Sequence, residues 1–248
     1  MNASNRVIMN TTAQFVKTVV CGVITLYSSR VILLNLGEND FGIYSLIAGI
    51  IAMLAFITNA LSSTTQRFIS YYQGQQNLQS IFSNSVFLHL VLGLIAVAAF
   101  ASFTPWLFGG FLNIESSRLS AAKFVYSMVI FTLFVTFMTA PFKAVLIAHE
   151  NIVFVSVVDT FDAILKLFIA ISLNYAFIDK LMYYGLMLLC IQFFNFFVIS
   201  LYAFNHYEEC CIPKISHLCV DYIKKLSCFA GWNVYSLGCT LGRTQGLA

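Results

Sequence analysis

Charge is the scarcest thing in this sequence. Only 9% of its 248 residues are charged and 60% are hydrophobic, whereas a soluble domain carries about 25% charged residues. So few charges cannot coat a water-facing surface, which excludes a soluble globule and turns the apolar excess toward lipid. Basic tracts are missing as well: a net charge of +3 is spread thinly along the chain, which argues against nucleic acid as a partner. The opening MNASNRVIMNTTAQ lacks the compact apolar core and small-residue cleavage site of a signal peptide, so the first helix is expected to be retained. The seven cysteines are odd in number and follow no disulfide framework. Cys21, Cys190 and Cys239 lie in apolar runs, where cysteine behaves as a small hydrophobe, and all seven read as free thiols.

Catalytic signatures are also lacking. There is no Walker-type glycine loop, no His-Glu-x-x-His and no Gly-x-Ser-x-Gly. No large external loop is left to house a polymerase-like site. An enzyme is not expected, nor is a cofactor. His206, Cys210, Cys211, His217 and Cys219 crowd one polar stretch, but their spacing matches no zinc pattern, so no metal is expected either.

What the sequence does have is a succession of apolar stretches, each near the 20 or so residues that cross a ~30 Å hydrocarbon core. They predict an all-α polytopic membrane protein with spans at Thr12–Leu36, Phe41–Leu61, Ser85–Leu112, Ala121–Leu146, Phe154–Ile178 and Leu181–Phe204, and the start of another at Leu226–Ala248. Residues 1–204 then form a six-helix N-terminal lobe, 205–225 a linker, and 226–248 an incomplete first helix of a second lobe. Lys and Arg favour an N-terminus in the cytoplasm: Arg6, Lys17, Arg67, Lys143, Lys214, Lys224 and Lys225 fall on inner flanks, against Arg118, Lys123 and Lys180 outside. Residues Ser62–Gln73 should carry the second helix beyond the membrane, with Gly74 as its stop and Asn77 as a cap for the next helix. Pro141 should kink or interrupt the fourth span.

Charged side chains inside the spans ask for partners or a wet cavity. Ser156, Asp159, Asp162 and Lys166 step by three and four residues and share one helical stripe. Asp162 and Lys166 can neutralise each other one turn apart. The competing reading makes the stripe a cavity lining, with Asp159 left over as an unpaired carboxylate for a coupling cation and Asp162 beside it. Arg30 either snorkels to the outer headgroups or, with Arg243 at similar depth six spans later, holds a phosphate-bearing substrate by paired hydrogen bonds. Lys17 is expected to snorkel, His89 to be a hydrogen-bonded core residue, and His149 and Glu150 to be solvated.

Ser29-Arg30-Val31, Leu36-Gly37-Glu38-Asn39-Asp40-Phe41-Gly42-Ile43-Tyr44, Ala60-Leu61-Ser62-Ser63 and Gln66-Arg67-Phe68 resemble the opening of bacterial O-antigen and polysaccharide flippases. Ala148-His149-Glu150, Phe229-Ala230-Gly231-Trp232-Asn233 and Arg243-Thr244-Gln245-Gly246 resemble later stretches of the same family. That family belongs to the superfamily that also holds the multidrug and toxin extrusion antiporters. The resemblance implies a bacterial inner-membrane transporter whose two six-helix lobes enclose a cavity and carry an undecaprenyl-diphosphate-linked oligosaccharide outward. It implies substrate contact by Arg30 and Arg243, and Lys166 is added from the stripe. Asp159 and Asp162 depart from a cavity built for an anion. A shorter chain than the family's implies a fragment or truncated frame lacking its second lobe. The rivals are a cation-coupled multidrug antiporter relying on Asp159 and Asp162, and a membrane-embedded glycan-assembly enzyme.

Overall fold

A computed structural model describes residues 3–52, 54–74, 78–112, 114–177, 179–210 and 220–245. Its helices are α1 (Ala3–Leu36), α2 (Glu38–Ala52), α3 (Ala55–Tyr72), α4 (Leu78–Trp106), α5 (Leu119–Ala148), α6 (Ile152–Ser172), α7 (Lys180–His206) and α8 (Val220–Gln245). A π turn, Leu107–Phe111, follows α4. No strand occurs among the described residues. This is the outcome that lipid imposes, because a helix satisfies its own backbone groups.

Helices α1, α4, α5 and α7 are each long and apolar enough to cross a membrane, and α2 with α3 makes a further, broken span. Helix α6 runs beside α1 along its length, bonded to it from Gln14–Ser156 at one end to Asn35–Ala170 at the other. Its 21 residues reach about 31 Å, enough to span. Each of the six stretches read from the sequence is therefore found as helix, four of them long and apolar enough to cross a membrane alone, but two details differ. The second is not one straight helix: α2 and α3 meet at a 43° bend. Helix α5 runs unbroken through Pro141, which is buried. Neighbouring helices in a membrane bundle can satisfy what an internal proline frees.

Helix α3 ends at Tyr72, and Gly74, expected as the stop, has φ +83°. Asn77 lies outside the described residues. Helix α8 begins at Val220, inside the stretch read as linker.

With α2 and α3 taken together as one bent run, successive helices alternate in direction, which gives the bundle two faces. On the near face α1 begins and α3, α5 and α7 end. On the far face α1 turns into α2 at Gly37 alone, another glycine at φ +83°, the left-handed region that a side chain disfavours. Helix α5 is the central post, packed against α3, α4 and α7. It is the most buried helix, with Tyr126, Phe137, Val145 and Leu146 almost wholly enclosed. Glycines mark its closest crossings: a Cβ at Gly185 would lie 3.2 Å from Val125, and one at Gly93 would lie 3.2 Å from Phe137. Small residues permit such approach where lipid gives no hydrophobic drive for association.

Candidate functional site

The charged stripe of α6 is split between two neighbours. Ser156 and Asp159 face α1, while Asp162 faces α7. Asp159 is not left unpaired as expected: Lys17 of α1 approaches Oδ2 at 3.0 Å and Lys143 of α5 approaches Oδ1 at 2.6 Å. Lys17 therefore does not snorkel. The α1 side chains that meet α6 or the turn before it, Asn10, Gln14, Lys17, Cys21 and Asn35, recur at helical spacing. That recurrence fixes which face of α1 looks inward.

Asp162 is held differently. Lys166 of its own helix lies 2.6 Å away, confirming the one-turn pair, and Asn195 Nδ2 of α7 donates to it at 2.5 Å. Asn195 is 8% exposed, and its Oδ1 has no hydrogen-bond partner among the described residues. Beside it is a chamber of about 260 Å³ between α3, α5, α6 and α7. The hydroxyls of Thr58, Thr136 and Thr139 line it, and each donates to a carbonyl of its own helix at 2.7–2.8 Å. Their lone pairs remain to accept. With Asp162 and the Asn195 oxygen, the chamber is rich in acceptors and suits water, a proton or a small cation. Lys143 and Asp159 border both this chamber and a second cavity of about 730 Å³ against α1. The clasp of Lys17, Asp159 and Lys143 thus stands between two cavities.

Arg30 is not part of this constellation. It lies on the face of α1 turned away from α6, exposed among Val19, Val23, Leu26 and Leu34, with no hydrogen-bond or ion partner among the described residues. Arg243 belongs to α8, and its side chain lies outside the described residues. The structure therefore brings Asp159, Asp162 and Lys166 onto one wall and leaves Arg30 on another.

The sequence reading missed Lys143 and Asn195 as partners and mistook His149 for a solvated residue. His149 Nδ1 lies 3.0 Å from the Gln73 amide, its Nε2 pairs with Glu209, and its ring stacks on Tyr207 at 4.3 Å. Burial works against the Glu209 charge, but the hydrogen bond from His149, a backbone bond and the imidazole's charge outweigh it. Together they hold the carboxyl below its ordinary value of 4.5. Glu150 meets Arg6 at 3.7 Å and stays largely exposed. His89 is a core residue as expected, with Nδ1 2.8 Å from the Ser85 carbonyl, though its buried Nε2 finds no partner among the described residues. On the far face, Arg118 joins Asp40 at 2.8 Å and also Asp179, and Lys180 donates to the Asn35 carbonyl at 3.1 Å.

Cys21, Cys190, Cys228 and Cys239 are free thiols. Cys211, His217 and Cys219 lie outside the described residues, as does most of the stretch read as a linker.

No protein-family model and no curated protein matches the sequence. Solved structures do match its fold. One is the outward-facing conformation of a multidrug resistance MATE family transporter of the MOP superfamily, with TM-score 0.77 and 10% identity, covering 93% of this chain and 52% of that one. Another is a MOP superfamily transporter from Pyrococcus furiosus Vc1 (DSM3638), whose binding pocket is described as having reverse polarity. It matches with TM-score 0.69 and 10% identity over 94% of this chain and 51% of that one. This chain thus spans about half the length of the structures it matches, and at this identity the likeness is one of fold: the fold of half a MOP-superfamily transporter.

Proposed function

We propose that the chain forms the N-terminal lobe of a flippase that carries undecaprenyl-diphosphate-linked oligosaccharide across a bacterial inner membrane for surface polysaccharide biosynthesis, its N-terminus in the cytoplasm. A second six-helix lobe completes the cavity, and the two lobes rock between inward-open and outward-open states. The observation that carries this reading is a surplus of cations in the membrane. Three lysines stand against two aspartates around the α6 wall, and Arg30 has no counter-charge among the described residues. A diphosphate cargo would meet that surplus, and a guanidinium can hold it by paired hydrogen bonds. Arg30 is assigned the substrate phosphate, with Arg243 and Lys166 in supporting contact. The stretches resembling polysaccharide flippases point the same way.

The test is Arg30→Ala in a strain whose surface glycan depends on this protein. Glycan display is expected to fall to background at normal protein level. Unchanged display removes Arg30 from the mechanism.

A second reading has its own observation. The acceptor-rich chamber at Asp162 and Asn195 suits a coupling cation, as in a cation-driven exporter of amphipathic compounds. Such a protein would tolerate Arg30→Ala and fail with Asp162→Asn. Drug susceptibility measured beside glycan display separates the two.

A further inference from the structure

A further cavity belongs to neither wall of α6. It is a groove of about 750 Å³ between the last turns of α3 and the first turns of α8 on the near face. The two helices meet through Phe68 against Phe229 at 6.0 Å, and through Asn233, which donates to Thr64 at 3.0 Å. The groove carries Arg67 and Lys225, and its walls are Tyr71, Phe229, Trp232 and Tyr235.

Both cations line the groove, the Lys225 ammonium 6.0 Å from the centre of the Tyr222 ring. The Arg67 guanidinium lies 4.7 Å from the centre of the Phe229 ring, and Lys225 is one turn before Phe229 on α8. No carboxylate lines the groove among the described residues. A cation over a ring keeps its charge available to an anion, since the ring contributes only a quadrupole. From Lys225 the wall runs inward: Trp232 is seven residues beyond it, about 10 Å along the helix. Tyr71, Trp232 and Tyr235 are each more than half exposed, at 75%, 68% and 64%.

We infer that this groove is a binding site for an anionic glycerophospholipid of the surrounding leaflet. Arg67 and Lys225 hold its phosphodiester, and its upper acyl region lies along Phe229, Trp232 and Tyr235. A free phosphate would use the cations and leave an apolar wall several residues long uncovered. A zwitterionic lipid would cover the wall but bring its own cation to the two already there. Tyrosine and tryptophan suit this depth because an apolar ring with one polar group fits the headgroup boundary. Basic pockets between membrane helices recognise anionic headgroups on the same physical ground.

The protein contains two tryptophans, Trp106 and Trp232, which makes the inference directly readable. Trp106→Phe protein, reconstituted in phosphatidylcholine vesicles, reports from Trp232 alone. A small equal fraction of acyl-brominated phosphatidylglycerol or acyl-brominated phosphatidylcholine then serves as contact quencher. The brominated phosphatidylglycerol is expected to occupy the groove with a preference of roughly tenfold, given two cations near the surface. Equal quenching by the two lipids overturns the site. The Trp232→Phe protein, which reports from Trp106 at the far end of α4, is expected to show no preference; an equal preference there means general surface attraction and overturns it too. Arg67→Gln with Lys225→Gln should abolish the preference, and Arg67→Lys with Lys225→Arg should keep it. If water-soluble glycerol phosphate displaces the brominated phosphatidylglycerol, the groove recognises phosphate without lipid, and the assignment fails.

Discussion

Asp159 and Asp162 sit three residues apart on one helix and are neutralised in opposite ways. Asp159 takes both of its lysines from other helices, Lys17 of α1 and Lys143 of α5. Asp162 takes its lysine from its own helix and an amide from α7. The first is therefore a clasp whose loss separates helices. The second is a locally balanced charge beside an unfilled acceptor, so it can change its state while the bundle stays put. Two carboxylates that look alike in the sequence divide, by where their partners come from, into one that ties helices together and one balanced mainly on its own helix.

That division is easiest to break at Asp159. Asp159→Asn leaves two ammonium groups facing each other and should destabilise the lobe by about 2 kcal/mol, because removing the shared partner of a half-buried pair strands the others. With the remaining cysteines replaced, alkylation of Cys21 should speed up as α1 lifts, since Cys21 lies against Asp159 and Thr160. An unchanged melting temperature and labelling rate would remove the clasp. Lys17→Ala and Lys143→Ala should each cost about 1 kcal/mol, because one lysine still neutralises the carboxylate. The double variant should cost more than the sum, and a thermal-melt double-mutant cycle reads that coupling.

Lys166→Ala should cost less than about 0.5 kcal/mol, since its side chain is 44% exposed and the pair is one turn long. A larger loss in the same melt would make Asp162 structural as well. Glu209 supplies a reference carboxylate outside the spans. Its native pKa is depressed, so its contribution is complete above the ordinary value of 4.5 and is lost as pH falls through the lower native one. Hydrogen exchange at residues 207–210 should rise over that window, and in Glu209→Gln the rise should vanish.

The same contrast explains what could be read from the sequence. The Asp162–Lys166 pair was legible because a helix fixes which residues meet one turn apart. The Lys17–Asp159 contact joins residues 142 apart, and nothing in either stretch says that α1 packs on α6. The spans were legible from apolar length, whereas the α2–α3 bend was not, since no proline marks the sequence around residues 52–55. His149 looked like a solvated helix end because its partners, Gln73 and Glu209, come from distant chain ends brought to one face by topology. Asn195 could have been noticed, with Gln192, as an amide in a charge-free span, but its partner could not have been named.

Arg118 ties three segments of the far face at once, through Asp40 at the start of α2, Asp179 at the start of α7 and its own place before α5. With that knot closed, a tilt of any one of these helices drags the others along. In the transporter proposed above, alternating exposure of a cavity would then come from swinging the whole lobe as a block, with the corner between α2 and α3 the nearest pivot inside it.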